Sequence, residues 1–311
     1  MIHTWLTNTF GLSVPVVSAP MAGVSGGALA AAVSAAGGLG VVGFAAGKPE
    51  QLQAELDLAA APGRPYGVGL LAWLLPDNEA LLDVVVGSDA SLVSLSYGPY
   101  APYVEPLQAA GKLVATQVGT IDDARAALAI GVDIIVARGG EAGGHGRNEV
   151  ATLPLLQAVL DAVDVPVLAA GGIGSGRGLA AVLAAGAAGA WVGTAFTVAT
   201  EASTPPAESK QAITAAGLAD TTYTTVLDIG RGIPWPSEYG GRALRHPYAD
   251  KWHGREDELR ASANPEPMEQ PAIWAGQAAG LVTKPRTAAE IIAELATAES
   301  YLTAITGRTR G

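Results

Sequence analysis

Eight times along this chain a short, β-branched apolar run is followed by an Ala- and Leu-rich stretch with helical spacing, and this alternation constrains the fold more than any other feature. The strand-like runs fall at 14–19, 39–43, 66–71, 91–96, 112–118, 133–137, 166–170 and 190–192, the last continuing to 196. Helical stretches follow at 26–36, 49–61, 77–86, 103–110, 121–129, 153–163, 176–185 and 206–216. A set of eight predicts an α/β fold of the (β/α)8 TIM-barrel type rather than an open doubly wound sheet. Most of the runs are continuously apolar, as strands covered on both faces must be.

The alternation stops near Gly217. Residues 1–217 are expected to form the barrel domain and 218–280 a smaller, partly irregular cap. Residues 281–311 are expected to form a C-terminal helix packing on the barrel. The cap carries Trp235, Tyr239, His246, Tyr248, Trp252 and His253, a charged run from Arg255 to Arg260, and prolines at 234, 236, 247, 265, 267 and 271. Its aromatics can wall a pocket or serve as an extension or oligomer contact. Thr287 followed by Glu290 has the spacing of a capping box, which predicts a helix over 287–303.

With 15% charged and 49% apolar residues, the chain reads as a close-packed globular protein. A formal net charge of -11 argues against nucleic-acid or anionic-membrane partners, which need clustered Lys and Arg. No cysteine is present, so disulfides, thiolate catalysis and Cys-ligated metals are excluded, and a cytoplasmic location is the simplest expectation. The charge-free run from Trp5 to Gly47 is cut by Pro15, Pro20 and several glycines, so it reads as short elements and not as a membrane span. No Lys or Arg precedes it, which argues against a secretory leader. No His/Asp/Glu cluster has metal-ligand spacing. A homo-oligomer is compatible with the composition.

Barrels of this type carry their ligands at the C-terminal ends of the strands. After the sixth strand comes Gly139-Gly140-Glu141-Ala142-Gly143-Gly144-His145-Gly146-Arg147, and His145 alone of the four histidines lies in such a loop. Glycines there let backbone approach a ligand, and an imidazole exchanges protons near neutral pH, although a glycine turn ending in a histidine is also a common structural device. The first strand ends in Ala19-Pro20-Met21-Ala22-Gly23, where Pro20 stiffens the turn. Gly171-Gly172-Ile173-Gly174 and Gly193-Thr194, after the seventh and eighth strands, occupy the usual phosphate cradle of these barrels. Neither a P-loop nor a dinucleotide fingerprint is present. Gln117 either bonds the edge of a heterocycle or satisfies rim backbone groups. Arg138 either stabilises negative charge on a bound ring or pairs with Glu141 or Glu201.

Together, Ala19-Pro20-Met21-Ala22-Gly23, Gly140-Glu141-Ala142-Gly143-Gly144-His145, Ala170-Gly171-Gly172-Ile173 and Gly193-Thr194-Ala195-Phe196 followed by Thr200-Glu201-Ala202 resemble the nitronate monooxygenase family. The resemblance runs in order over nearly the whole barrel and into Lys210-Gln211. Related flavin barrels, including a flavin-dependent enoyl-acyl-carrier-protein reductase and NAD(P)H:quinone reductases, share much of it. It implies an FMN-dependent oxidoreductase. The FMN phosphate would rest on the amides of Gly171, Gly172, Gly193 and Thr194, and the ring against backbone at Ala19, Pro20 and Met21. Gln117, Arg138, Ala142, Gly143 and Gly144 would surround the ring edge, and His145 matches the active-site histidine. Two departures stand out: Gly67-Val68-Gly69 has a glycine where many relatives carry a flavin-contacting asparagine, and Arg138 stands where glutamine is frequent. The activity implied first is oxidation of alkyl nitronates, or nitroalkanes, by molecular oxygen to a carbonyl compound and nitrite. The alternative is an NAD(P)H-dependent reductase of a quinone or enoyl thioester. A non-redox barrel binding a phosphorylated metabolite is weaker still, because no strand-end Lys is placed for a Schiff base.

Overall fold

The computed structural model describes residues 2–262 and 266–308, so Pro265 and the last three residues of the expected C-terminal helix lie outside the described residues. Eleven strands follow in chain order among them: β1 (Val16–Ser18), β2 (Gly40–Phe44), β3 (Tyr66–Leu71), β4 (Leu92–Ser96), β5 (Leu113–Val118), β6 (Ile134–Arg138), β7 (Gly144–His145), β8 (Val167–Ala170), β9 (Gly189–Val192), β10 (Thr221–Thr224) and β11 (Gly241–Leu244). Eight of them form one parallel sheet in the order β1-β9-β8-β6-β5-β4-β3-β2. A parallel bridge between Val17 and Leu39 joins the first strand to the second and closes the sheet into a (β/α)8 barrel.

Both faces of the barrel wall are buried, by two different sets of residues. Inside, Val17, Leu39, Val41, Leu92, Ala115, Ile134, Val136, Leu168, Ala170 and Trp191 form one apolar cluster. Outside, Val42, Val68, Val93, Leu95, Val114, Ile135, Ala137, Val167, Ala169 and Val192 pack with the helices into the larger core. Side chains alternate between faces along a strand, so the inner series fixes where each strand end points. Val17 leads to Ala19, Ala115 to Gln117, Ile134 and Val136 to Arg138, and Trp191 to Gly193. The two-residue period therefore carries four candidate site residues onto the inner face of the barrel mouth.

At the opposite end sits a helix that the sequence reading did not anticipate, Trp5–Phe10, started by a capping box of Thr4 and Thr7 and ended by Gly11 in the left-handed region. Leu6 and Phe10 from this helix join the inner cluster and plug the barrel floor. Other boundaries also differ. The expected continuation of the eighth strand to Phe196 is a short helix, Thr194–Thr197, because the chain turns at Gly193. The expected helix over 77–86 is Ala80–Gly87, preceded by a 3-10 turn, Ala72–Asp77, that contains Pro76. Thr287 caps its helix as expected, with both bonds of the capping box to Glu290, but the helix Ala288–Ala296 stops at Thr297 and a second one, Ala298–Arg308, follows.

The segment after Gly217 adds a three-stranded antiparallel sheet, β10-β11-β7, to the barrel mouth. Its third member is the glycine loop itself: Gly241 pairs with His145 and Arg242 with Gly144. Arg242 ties the sheet down by donating from Nε to the Gly140 carbonyl and from a terminal nitrogen to Asn148. Among the described residues no helix is long and apolar enough to cross a membrane.

Candidate active site

A cavity of about 800 Å³ opens at the C-terminal ends of the strands. All thirteen residues singled out from the sequence line it: Ala19, Pro20 and Met21 after β1; Gln117 and Arg138 at the ends of β5 and β6; Ala142, Gly143, Gly144 and His145 in the loop; Gly171 and Gly172 after β8; Gly193 and Thr194 after β9.

The turn at Ala19–Met21 is held from several sides. The Ala19 amide donates to the Val192 carbonyl, the Met21 amide donates to the buried Ser25 hydroxyl at 2.6 Å, and the Thr197 hydroxyl donates to the Met21 thioether at 3.2 Å. Beneath it, two barrel glycines make room. A Cβ on Gly43 would lie 2.5 Å from the Met21 nitrogen, and one on Gly69 would lie 2.3 Å from the Pro20 ring. Gly69 of β3 therefore has a packing reason in this chain: the proline ring fills that space.

Arg138 is 4% exposed and meets no carboxylate among the described residues. Neither proposed partner pairs with it. Glu141 accepts from the Thr152 amide and hydroxyl at 2.7 and 2.6 Å, and Glu201 accepts from the Ala288 amide. Instead the guanidinium donates to four backbone carbonyls, those of Ala142, Gly143, Gly144 and Arg147, at 2.9 to 3.2 Å. These acceptors bracket His145, so the loop is wound around a buried cation. Desolvation pushes the Arg138 guanidinium below its ordinary value, yet arginine remains charged at neutral pH.

His145 meets four residues that the sequence reading did not assign to it. Its Nε2 lies 2.8 Å from Oδ2 of Asp228, whose side chain is 5% exposed. Its ring stacks on Trp235 at 3.7 Å and 6°, and Trp274 lies against it at 4.6 Å and 49°. Its carbonyl accepts from the Tyr97 hydroxyl at 2.8 Å. Tyr97 directly follows β4 with φ 66°, the one non-glycine residue in the left-handed region among those described. Holding it there costs roughly 1–3 kcal/mol, a strain that tends to cluster at functional sites. Burial pushes its phenol up, which keeps it a donor. Gln117 sits beside that hydroxyl.

The cap aromatics divide. Trp235 joins Trp73, Trp274, Leu74 and Ile233 in the main cavity, and Tyr239 faces a small side pocket. Tyr248 and Trp252 instead pack with Val226 and Leu259 in a separate cap core, and His246 caps the helix Pro247–Trp252. The C-terminal segment reaches the rim through Gly276, whose amide donates to the Thr194 hydroxyl at 2.9 Å.

An eight-stranded parallel barrel with two glycine turns after its last strands and a histidine loop over its mouth is the framework of flavin-dependent oxidoreductases of the TIM-barrel class. Comparison with known proteins narrows this class. The family model described as "Nitronate monooxygenase" matches residues 3–80 and 76–298, and the chain belongs to that family. A (3aS,4S,5R,7aS)-5-hydroxy-7a-methyl-1-oxo-octahydro-1H-indene-4-carboxyl-CoA dehydrogenase of Rhodococcus jostii is 38% identical over 75% of this chain, and the match spans 65% of that relative's length. A nitronate monooxygenase of Neurospora crassa is 32% identical over 94% of this chain and 90% of its own. Among solved structures, FabK from Thermotoga maritima superposes over 100% of this chain and 99% of its own with a TM-score of 0.85 at 29% identity.

Membership implies FMN, and the bare backbone of Gly193 leaves room for a closely approaching ligand. Its backbone, at φ -107° and ψ -74°, does not require glycine. A Cβ there would meet protein no closer than 3.6 Å, at Ala19 and Met21. What the missing side chain leaves free is the cavity. Gly193→Ala is expected to leave folding stability within about 0.5 kcal/mol but to weaken FMN about 10- to 100-fold, by the ~1–3 kcal/mol of overpacking at a filled site. Titration of the apoprotein with FMN beside a melting curve checks this; unaltered affinity would mean that no ligand atom approaches residue 193.

Proposed function

We propose that this chain is an FMN-dependent reductase that uses NADH or NADPH to reduce a flat, apolar substrate with a conjugated carbonyl, an enoyl thioester or a quinone. The observation that carries this reading is the apolar lining of the cavity that holds His145: Trp235 and Trp274, which touch its ring, together with Trp73, Leu74 and Ile233. A nitronate is a compact anion that gains little from such a wall, whereas a conjugated ring or enoyl group stacks on it. The relatives named as carboxyl-CoA dehydrogenases, 38% and 36% identical, support the thioester side.

Bound FMN would supply two-electron transfer, and the chain positions and tunes it. The amides of Gly171, Gly172, Gly193 and Thr194 would hold its phosphate, the Ala19–Met21 backbone would lie against its ring, and Gln117, Arg138 and Ala142–Gly144 would surround the ring edge. Saturating a conjugated double bond takes one hydride equivalent and one proton, and His145 supplies the proton to the substrate.

A second reading, oxidation of a nitronate by molecular oxygen, is favoured by the family match and by the relative from Neurospora crassa. The anaerobic absorbance spectrum of the FMN-loaded protein separates the two. Rapid bleaching by NADPH or NADH, with none by ethyl nitronate, is the expected result. Bleaching by the nitronate alone would overturn the reductase reading in favour of the second.

A further inference from the structure

One buried acid of the cap has no place in the scheme above. Asp228 lies in the short helix Val226–Gly230, far from the loop in sequence, and is 3% exposed. Of its two oxygens, Oδ2 meets His145 Nε2 at 2.8 Å, while Oδ1 is buried without a partner. Among the described residues no other donor is hydrogen-bonded to this carboxylate, and no other ionisable side chain is hydrogen-bonded to the imidazole. Four ionisable groups nearby are engaged elsewhere. The Tyr97 and Tyr223 hydroxyls donate to the carbonyls of His145 and Gly146, Arg138 donates to the loop carbonyls, and Arg242 of β11 donates to Gly140, Thr221 and Asn148. The ring plane is set separately, by the Trp235 stack at 6°.

We propose that Asp228 is the positioning residue of the reaction. Its carboxylate accepts a hydrogen bond from Nε2–H, fixes the rotation of His145 and stabilises its imidazolium, whose second proton, on Nδ1, passes to the substrate and leaves the neutral Nε2–H tautomer. A carboxylate accepts only, so the nitrogen facing it must carry hydrogen, and the other nitrogen is left for chemistry. The proposal rests on the reading of His145 as the proton donor. It adds which nitrogen acts and what holds it there, and it makes the cap part of the reaction machinery, because the acid comes from the cap and the histidine from a barrel loop.

The test has one arm that needs no substrate. In the FMN-loaded protein labelled with 15N-histidine, the four histidines are assigned by comparison with His145→Asn. His145 is expected to show a slowly exchanging, downfield Nε2 proton that is lost or moved upfield in Asp228→Asn. A wild-type ring protonated at Nδ1 alone, or an Nε2 signal unchanged by the substitution, overturns the proposal whatever the substrate proves to be. The second arm is kinetic. Asp228→Asn is expected to lower kcat about 10²–10⁴-fold, the range of a positioned acid or base, with KM and FMN affinity changed little. The double variant with His145→Asn is expected to be no slower than His145→Asn alone. Full turnover in Asp228→Asn, or additive losses in the double variant, would reduce Asp228 to a staple between cap and barrel and overturn the proposal. Asp228→Ser serves the same comparison should the asparagine variant fold poorly.

Discussion

His145→Asn is expected to lower turnover of the conjugated substrate by about 10²–10⁴-fold while leaving reduction of bound FMN by the nicotinamide close to the wild-type rate. The asymmetry follows from what each half-reaction asks of the chain. On the proposed reading, passing a hydride equivalent from a nicotinamide requires placement against the ring, which the Ala19–Met21 turn and the loop backbone would supply. Delivering a proton to a substrate carbon or oxygen requires a group that carries one, and His145 is the only histidine lining the cavity. Asparagine suits the test because its amide can still donate toward Asp228, so the buried carboxylate keeps a partner and the fold is spared. Stopped-flow measurement of the two half-reactions checks the prediction. Equal slowing of both would mean that the imidazole shapes the cavity rather than moving a proton.

Arg138→Met is expected to destabilise the protein by about 3–5 kcal/mol, because several buried carbonyl acceptors lose their donor at once. Methionine fills a similar length but donates nothing, so the carbonyls of Ala142, Gly143, Gly144 and Arg147 lose their common partner. Each buried acceptor left unpaired costs roughly 1–3 kcal/mol, and partial relaxation of the loop keeps the total below their sum. The melting temperature should fall on the order of 5–8 °C, with hydrogen exchange accelerated first in residues 142–147. Arg138→Lys should recover only part of the loss, since a compact ammonium cannot reproduce the planar fork that spans both sides of His145. A variant melting within a degree or two of the parent would show that the loop is held by β11 alone.

The barrel was legible because its signal is periodic. Strand runs such as Tyr66–Leu71 coincide with the expectation, and inward alternation through Ile134 and Val136 places Arg138 at the mouth without any motif. At β7 the cause of the miss was not local. β7 is two residues long and is a strand only through pairing with β11, nearly a hundred residues later, so no window of sequence could reveal it. Arg138 reads from sequence either as a cation for a bound ring or as half of an ion pair, because no pattern of residue types announces four carbonyls turned inward by glycines. Asp228 carries one usable signal, a lone acid in the apolar run Val226-Leu227-Asp228-Ile229, but nothing in that run says which ring it would meet. Trp73 and Trp274 were passed over because they stand outside the glycine turns. Trp235 was visible as a cap aromatic, though not separable from Tyr248 and Trp252, which turn the other way.

The seating of the Pro20 ring over the bare backbone of Gly69 bears on which substitutions this chain tolerates. An asparagine at position 69 would drive its first carbon into the proline, so that exchange alone disrupts the turn before its amide can reach any ligand. A side chain at position 69 therefore requires the ring at position 20 to move or to be replaced, and the two positions have to be redesigned together.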